Sequence, residues 1–239
     1  PELWTTSPLR NTDHAARHVR AARDRSLRAL QVDEFELYRV HFPISLAVVP
    51  FEKRYPPEWV YDPEAANPAM KLTNVPYSET WGAMEELQRA GLVKRIGVCN
   101  LNISMLREVL SYCAIRPAVH QVEMHPYLTQ EKLLRFCHES NIGVTAFSPL
   151  GAQSYYQLNM AEASESRLEH ATIRETAASV GRTPAQVLLR WGVQRGTSVV
   201  PKTSNTERPK ENLAIFDFAL TDEQMLAISS LNRHRRFND

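Results

Sequence analysis

Several features that would classify a protein at once are absent from this sequence. No apolar run approaches the roughly 20 residues that a membrane-spanning helix needs. No charge of one sign dominates, because 28 basic residues face 27 acidic ones for a net charge of +1. This balance predicts neither a nucleic-acid partner nor a membrane partner. No glycine-rich dinucleotide fingerprint follows a predicted strand, which argues against a Rossmann domain.

The sequence also has little cysteine. Its three cysteines, Cys99, Cys113 and Cys137, are odd in number and lack the spacing of metal ligands. A disulfide framework is therefore not expected, and a reducing, cytoplasmic compartment is. We expect no metal site.

What the sequence does contain is a repeated alternation of two kinds of segment. Short apolar runs rich in Val and Ile, typical of buried parallel strands, alternate with charged segments of helical periodicity. This alternation predicts an α/β fold, and 239 residues with 43% hydrophobic content suit one large domain or two small ones. Six strands are predicted, at residues 3–7, 35–41, 93–99, 117–122, 143–148 and 197–200.

The predicted helices begin at recognisable capping residues. Residues 11–13 are N-cap candidates for the first helix and Thr129 for the fourth. Thr183, followed by Pro184 at the first helical position, caps the sixth. Helices are predicted at residues 14–30, 77–90, 103–112, 129–140, 169–180, 183–194, 207–212 and 221–231.

Two long segments show no periodicity, at residues 42–76 and 149–168. The first contains seven of the 15 prolines, and proline blocks regular structure. A connection of this length inside a compact domain is usually a functional loop or a disordered one. The aromatic residues of the first segment, among them Trp59, favour an ordered loop that packs over another part of the protein.

Polar side chains recur at the C-terminal ends of the predicted strands. They are His41, Asn100, Gln121, Ser148 and Lys202. In a closed ring of parallel strands these ends all face one mouth, where such folds place their chemistry. Taken alone, a histidine at a strand end is more often structural, and paired Lys and Arg side chains are ordinary surface charges.

Five segments resemble, in order and spacing, the signatures of aldo-keto reductases, and the resemblance spans nearly the whole chain. They read DEFELYRVHFP, GLVKRIGVCNLN, PAVHQVEMHPYL, VTAFSPLG and SVVPKTSNTERPKEN. Within that family, RYPPEW, GAQSYYQLN and RRFND are most similar to the xylose (aldose) reductase branch. The resemblance implies a (β/α)8 TIM barrel and a single NADP-dependent oxidoreductase domain over residues 1–239. It also implies hydride transfer from NADPH, possibly NADH, to an aldehyde or ketone.

The same resemblance implies that the barrel is incomplete. A barrel of this type needs eight strands, and about six β/α units are predicted. We therefore expect the sequence to be truncated at its N-terminus and to lack the C-terminal tail that closes the substrate pocket in the family.

The family's reaction uses a Tyr acid, a Lys that is salt-bridged to an Asp, and a His that orients the carbonyl group. His41 matches that His, whereas the Asp and Tyr belong to a segment upstream of Pro1, and Pro8 occupies the position of the Lys. Proline has no charge with which to tune the pKa of a phenol. Arg10 is expected to be solvated, and Arg39 replaces an apolar family residue at a buried position. The sequence therefore predicts little or no reductase activity, and the alternative is an inactive pseudoenzyme that binds nucleotide or a protein partner.

The positions that bind the cofactor in the family are better preserved. Asn100 and Gln121 match the groups on the nicotinamide carboxamide, with Cys99 where many members have Ser, and Phe147 matches the aromatic ring that stacks on the nicotinamide. Lys202 and Arg208 favour NADPH because they can clamp its 2′-phosphate. The remaining matches are Ser148, Leu150 and Gln153 over the pyrophosphate, Thr203, Ser204 and Asn205 beside the 2′-phosphate, and Glu211 and Asn212 on the adenine.

The substrate implied by the resemblance is a small aldehyde or sugar. Asn238 matches a residue that contacts sugar hydroxyls in xylose reductases, and Trp59 could line the apolar side of the pocket. For both residues, loop packing is an equally good explanation. We expect a monomer or a homodimer.

Overall fold

The computed structural model describes residues 4–54, 59–151, 155–156 and 158–238. The chain divides into two compact units, Pro1–His120 and Gln121–Asp239. Both units alternate parallel strands with helices, as the sequence pattern predicts. The expectation of a single domain over residues 1–239 stays a prediction.

The first unit contains parallel strands that follow one another in chain order. β1 (Thr6–Leu9) pairs along its whole length with β2 (Leu37–Val40), and β2 pairs with β3 (Ile96–Cys99). All four residues of β3 are buried, as expected for a parallel strand with neighbours on both edges. β4 (Val119–Glu123) begins at the end of this unit and continues into the second.

Three helices accompany these strands: α1 (Ala16–Leu30), α2 (Tyr77–Arg89) and α3 (Ile103–Tyr112). The apolar face of α2 buries Trp81 and Met84 completely. Burial of a side chain the size of methionine contributes about 1.5–3 kcal/mol to stability. This face therefore fixes α2 in the unit that contains His41.

The second unit contains β5 (Gly143–Phe147) and β6 (Thr197–Val200), which are parallel and pair from Val144 with Thr197 to Phe147 with Val200. Its apolar core includes the buried side chains of Ile173, Leu188 and Trp191. The helices are α4 (Glu131–Glu139), α5 (Ala171–Val180), α6 (Pro184–Gln194), α7 (Arg208–Leu213) and α8 (Asp222–Ser229), with a short 3-10 helix at Ala163–Glu165.

The six predicted strands and eight predicted helices are all present, and β6 and α3 have the predicted bounds. The predicted N-cap of α6 is also confirmed, because the Thr183 side chain accepts a hydrogen bond from the N–H of Gln186. The strand predicted at residues 3–7 instead lies at Thr6–Leu9.

Two predicted N-caps are wrong. Residues 11–13 form a separate 3-10 helix, and α1 begins after Ala15 without a side-chain cap. The Asn11 carbonyl accepts a hydrogen bond from the N–H of Leu46 (2.9 Å), which ties this turn to the following loop. α4 begins after Gln130 rather than after Thr129. Thr129 is buried, and its backbone N–H donates to a side-chain oxygen of Asn232 (3.4 Å).

In the described part of residues 42–76, one isolated antiparallel bridge joins Leu46 to Leu72, and no helix or longer strand forms. The irregular loop predicted there is confirmed over those residues. Across the described ranges no helix is both long and apolar enough to cross a bilayer.

Candidate active site

His41 lies directly after β2, in the first unit. Its backbone N–H donates to the Leu9 carbonyl (3.1 Å), which holds it beside the end of β1. Burial, together with the guanidinium groups of Arg10 and Arg39, lowers the pKa of His41 to about 4. The imidazole is therefore neutral at neutral pH, so it can donate a hydrogen bond through one ring nitrogen but is not a reservoir of protons.

Asn100 follows β3 and is joined to His41. Its side-chain amide donates a hydrogen bond to the His41 carbonyl (2.9 Å). The backbone of Asn100 has φ +60°, a left-handed conformation that asparagine tolerates better than most residues. This turn brings the Asn100 amide from the end of β3 to the end of β2. Cys99, just before it, is buried.

Two aromatic side chains lie beside His41. The ring centroids of His41 and Trp59 are 6.2 Å apart, and those of His41 and Phe42 are 4.9 Å apart. Trp59 also meets Phe42 edge-on at 5.2 Å and stays 41% exposed. The structure therefore brings together two of the predicted substrate-binding residues, His41 and Trp59, with an apolar surface open to solvent.

Pro8 lies in β1 opposite Arg39 of β2, with which it is in direct register. Arg10 follows directly after β1 and is partly buried, whereas the sequence predicted a solvated side chain. Its guanidinium contributes to the lowered pKa of His41. Burial raises the pKa of the nearby Asp13 carboxyl to about 6.

In the second unit, Gln121 of β4 and Phe147 at the end of β5 are both partly exposed. Ser148 follows Phe147 with φ +50°, and its hydroxyl pairs with the Tyr155 hydroxyl (2.9 Å). Leu150 packs on the apolar core of this unit. Gln153 lies outside the described residues.

The segment after β6 exposes two cations, one on each side of an ordered turn. Lys202 and Arg208 are both exposed, and neither forms an ion pair with any described residue. Between them the Asn205 N–H donates to the Thr203 hydroxyl (3.1 Å), and the side chain of Asn205 accepts from the Glu207 N–H (2.9 Å). Two exposed cations that flank a fixed turn are suited to a phosphate group.

The remaining predicted residues of this segment have different surroundings. Ser204 is exposed, and Asn212 is half-buried near the end of α7. The Glu211 carboxylate accepts a hydrogen bond from the Thr183 hydroxyl (2.5 Å), so this side chain also holds α7 against the start of α6.

Asn238 is held in place by a residue that the sequence analysis missed. The Glu123 carboxylate accepts hydrogen bonds from the N–H groups of Asn238 (3.0 Å) and Phe237 (3.0 Å) and pairs with His125 Nε2 (2.8 Å). Burial raises the pKa of Glu123, but these hydrogen bonds outweigh burial and the net shift is downward. A glutamate directly after the strand predicted at residues 117–122, between the apolar residues Val122 and Met124, was the signal that could have revealed it.

Arg167 is a second residue that the sequence did not indicate. It is completely buried, and its guanidinium lies over the rings of Tyr127 (4.8 Å) and Phe237 (4.9 Å). Within the described ranges none of its guanidinium nitrogens has a hydrogen-bond partner. Burial lowers its pKa to about 10, so it remains charged at neutral pH.

Comparison with known proteins gives a consistent result. The sequence matches the Aldo/keto reductase family over residues 7–233. A probable NAD(P)H-dependent D-xylose reductase of Arthroderma otae is 44% identical over all of this chain and 72% of its own length. An NADPH-dependent D-xylose reductase of Meyerozyma guilliermondii is 37% identical over all of this chain and 75% of its own length.

A solved structure supports the same assignment. An aldose reductase from Schistosoma japonicum matches with a TM-score of 0.83 at 34% identity, over 97% of this chain and 69% of that chain. The predicted fold class is confirmed: an α/β fold whose six parallel strands correspond to part of a (β/α)8 barrel. The resemblance to the xylose reductase branch is confirmed by the relatives named above. The chain belongs to the aldo/keto reductase family.

Proposed function

We propose that this protein reduces the carbonyl group of an aldehyde or an aldose, such as xylose, with NADPH. The observation that carries the proposal is the neutral imidazole of His41, fixed at a strand end by Asn100 and flanked by the exposed face of Trp59. The names of the relatives support the substrate class and the cofactor.

The chain's own residues supply orientation and electrostatics. A neutral His41 donates a ring N–H to the carbonyl oxygen, which aligns the substrate and polarises the bond. Because its pKa is about 4, this role is constant through the neutral range. The ring of Trp59 covers the apolar side of the substrate, and Asn238 hydrogen-bonds sugar hydroxyls.

The residues present fit NADPH, which when bound would supply a hydride to the carbonyl carbon and become NADP+, while the oxygen would take its proton from water. Asn100 donates one amide hydrogen bond to His41, which leaves its side-chain oxygen to accept a hydrogen bond from the nicotinamide carboxamide. Gln121 shares this role of binding the carboxamide, and Cys99 lies beside Asn100. Phe147 offers a ring face, and Ser148, Leu150 and Gln153 cover the pyrophosphate. Thr203, Ser204 and Asn205 surround the 2′-phosphate, and Glu211 and Asn212 contact the adenine.

Lys202 and Arg208 are the strongest part of this fit. Both are exposed cations without an ion-pair partner in the described part of the chain, and they flank a turn whose backbone is already hydrogen-bonded. A dianionic phosphate is the ligand that such a pair favours. We therefore propose NADPH as the preferred cofactor, with NADH as the weaker one.

A second candidate function is nucleotide binding without reduction. Pro8 favours it, because no side-chain cation is present at that position of β1. In that case the protein binds NADPH but reduces no substrate. A protein partner is the alternative ligand to the nucleotide.

The experiment separates the two steps. Quenching of tryptophan fluorescence by NADPH tests binding, and oxidation of NADPH in the presence of xylose or an aromatic aldehyde tests chemistry. Binding with turnover that His41→Gln reduces at least 100-fold supports the reductase. Binding without turnover supports the second candidate, and absence of NADPH binding contradicts both.

We further propose a cytoplasmic protein that acts as one domain, as a monomer or homodimer. The three cysteines, all of them free, support the reducing compartment.

A further inference from the structure

Phe237 is a buried aromatic residue of the second unit and directly precedes Asn238, the proposed ligand of sugar hydroxyls. Its side chain is 2% exposed. The ring of Tyr155 stacks on the Phe237 ring at 5.6 Å, and the guanidinium of Arg167 lies 4.9 Å from the centroid of that ring. The Glu123 carboxylate accepts the backbone N–H groups of Phe237 and Asn238, each at 3.0 Å. Glu123 therefore fixes the backbone at this point, whereas Tyr155 and Arg167 fix the direction of the ring.

The same guanidinium lies against Gly151. A Cβ at Gly151 would overlap the guanidinium of Arg167, which therefore occupies the space that a side chain would need there. Gly151 ends a turn, because its N–H donates to the Ser148 carbonyl (2.8 Å). The Ser148 hydroxyl also pairs with the Tyr155 hydroxyl (2.9 Å). Two contacts therefore connect this turn with Phe237, one through Tyr155 and one through Arg167.

Arg167 is an unfavourable residue for a packed interior. Its completely buried guanidinium has no hydrogen bond and no ion pair among the residues that the structure describes. Glu123 acts on it electrostatically, but this carboxylate already pairs with His125 and with two backbone N–H groups. Cation–π contacts with Tyr127 and Phe237 offset only part of the free energy that the loss of water costs. A neutral side chain of similar length would be at least as stable here, so what Arg167 adds is a flat group that restricts the Phe237 ring.

We infer that Arg167 is a positioning residue that gives the protein a preference for hydroxylated aldehydes. Its guanidinium holds the Phe237 ring, and with it Asn238, in a fixed position relative to the turn that ends at Gly151. A sugar needs Asn238 for its hydroxyl groups, whereas an aldehyde without other hydroxyls does not. This role rests on the proposed function, in which Asn238 binds hydroxyls and Ser148 covers the cofactor, but the order of the Asn238 side chain can be measured without turnover.

The test compares the whole unaltered chain with four variants. Arg167→Met replaces the guanidinium with a neutral side chain of similar length, and Gly151→Ala displaces the guanidinium from the other side. Asn238→Ala gives the effect of losing the hydroxyl ligand itself. Arg174→Met is the matched control, because it removes an exposed cation of α5 in the same unit.

Three measurements are made on each form. Steady-state kinetics at saturating NADPH give kcat and KM for xylose and for benzaldehyde. NMR of the chain without ligands gives the signals of the Asn238 side-chain amide, assigned through Asn238→Asp. A thermal melt gives the stability of each variant.

Arg167→Met and Gly151→Ala are each expected to raise the xylose KM about 10-fold, as the loss of one hydrogen bond would, and to change kcat and the benzaldehyde KM less than about twofold. Asn238→Ala should show the same selectivity, and Arg174→Met should change neither KM. The Asn238 amide signals should broaden or shift in Arg167→Met and Gly151→Ala and stay unchanged in the control. Arg167→Met should melt no lower than the unaltered chain, because it removes an unpaired buried charge. A general packing defect would instead lower the melting temperature and raise both KM values.

Equal changes in the two KM values, or a xylose KM that stays constant in Arg167→Met while Asn238→Ala raises it, would overturn the inference. A melting temperature lowered by more than about 5 °C in Arg167→Met would also overturn it, because Arg167 would then be a packing residue. Unchanged Asn238 amide signals in both Arg167→Met and Gly151→Ala would exclude the role, whatever turnover shows. If the unaltered chain reduces neither aldehyde, or if Asn238→Ala leaves the xylose KM unchanged, the proposed function fails. The amide signals then still decide whether Arg167 positions Asn238.

Discussion

The side-chain amide of Asn100 donates a hydrogen bond to the backbone carbonyl of His41, at 2.9 Å. The proposed cofactor ligand and the proposed substrate ligand of the first unit are therefore one hydrogen-bonded pair. A change at Asn100 should reach His41 without any change in the sequence of β2.

Substitution of Asn100 tests this coupling. Asn100→Gly keeps the φ +60° backbone easy to adopt and removes the amide, whereas Asn100→Ala also adds left-handed strain. We expect Gly to cost about 1 kcal/mol for the lost hydrogen bond and Ala about 1 kcal/mol more. Both should weaken NADPH binding at least 10-fold in fluorescence titration. Equal stability of the two variants in urea would contradict the strain argument.

Removal of the Glu123 charge should loosen the segment that carries Asn238. In Glu123→Gln the N–H groups of Phe237 and Asn238 lose a charged acceptor, at a cost of about 1–3 kcal/mol. The xylose KM should rise while NADPH affinity stays nearly constant, and limited proteolysis should cut near the C-terminus. Glu139→Gln, on the exposed face of α4, is the matched control. Unchanged proteolysis in Glu123→Gln would exclude this anchoring role.

The fold should lose stability as the pH falls below about 6.5. Burial lowers the pKa of His14 to about 4, of His120 to about 3 and of His125 to about 4. The unfolded chain therefore takes up these protons first, and stability is lost from the unfolded pKa of about 6.5 down to the folded values. His120 Nε2 accepts the Leu101 N–H (3.2 Å), a bond that protonation breaks.

Asp13 acts in the opposite direction. Its folded pKa of about 6 lies above the ordinary value of 3.8, so acidification between about pH 6 and pH 4 favours the folded state at this residue. Three buried histidines outweigh one carboxyl, and urea unfolding should show a net loss of a few kcal/mol from pH 7 to pH 5. Asp13→Asn should raise stability at pH 7 and steepen that loss. A flat profile would show that these histidines stay solvated.

Gly151 and Gly181 should respond differently to alanine. Both have positive φ, +82° and +62°, so each substitution carries about 1 kcal/mol of backbone strain. A Cβ at Gly181 meets open space, whereas a Cβ at Gly151 collides with the guanidinium of Arg167. Gly151→Ala should therefore lower the melting temperature further. A double-mutant cycle with Arg167→Ala should return a favourable coupling, and zero coupling would contradict the predicted collision.

The preference for NADPH should depend on Lys202 and Arg208. Replacing either with alanine removes a cation from the proposed 2′-phosphate site and should weaken NADPH at least 10-fold while leaving NADH nearly unchanged. Lys210→Ala, on the same short helix as Arg208, is the control because it changes the net charge equally. The loss should shrink at high salt. An equal loss of affinity for NADPH and NADH would show that these residues do not recognise the 2′-phosphate.

The sequence predicted most elements but not the contacts that the site depends on. β6 could be placed to the residue because it lies between Gly196, with φ +78°, and Pro201. The pairing of Pro8 with Arg39 could not be predicted, because strand register joins residues far apart in the chain. Arg167 lies in a segment without periodicity, where an arginine is normally solvated, so its complete burial left no pattern to detect.

Gly97 limits how the face around Arg39 can be engineered. A Cβ at this position would stand 2.6 Å from the Val119 carbonyl and 3.5 Å from the Arg39 Cβ, so even alanine requires the backbone to shift. Of the two neighbours of Arg39 in register, position 8 alone can accept new chemistry at little structural cost. Combinatorial libraries that seek altered substrates should vary residues 8 and 39 together and keep position 97 constant.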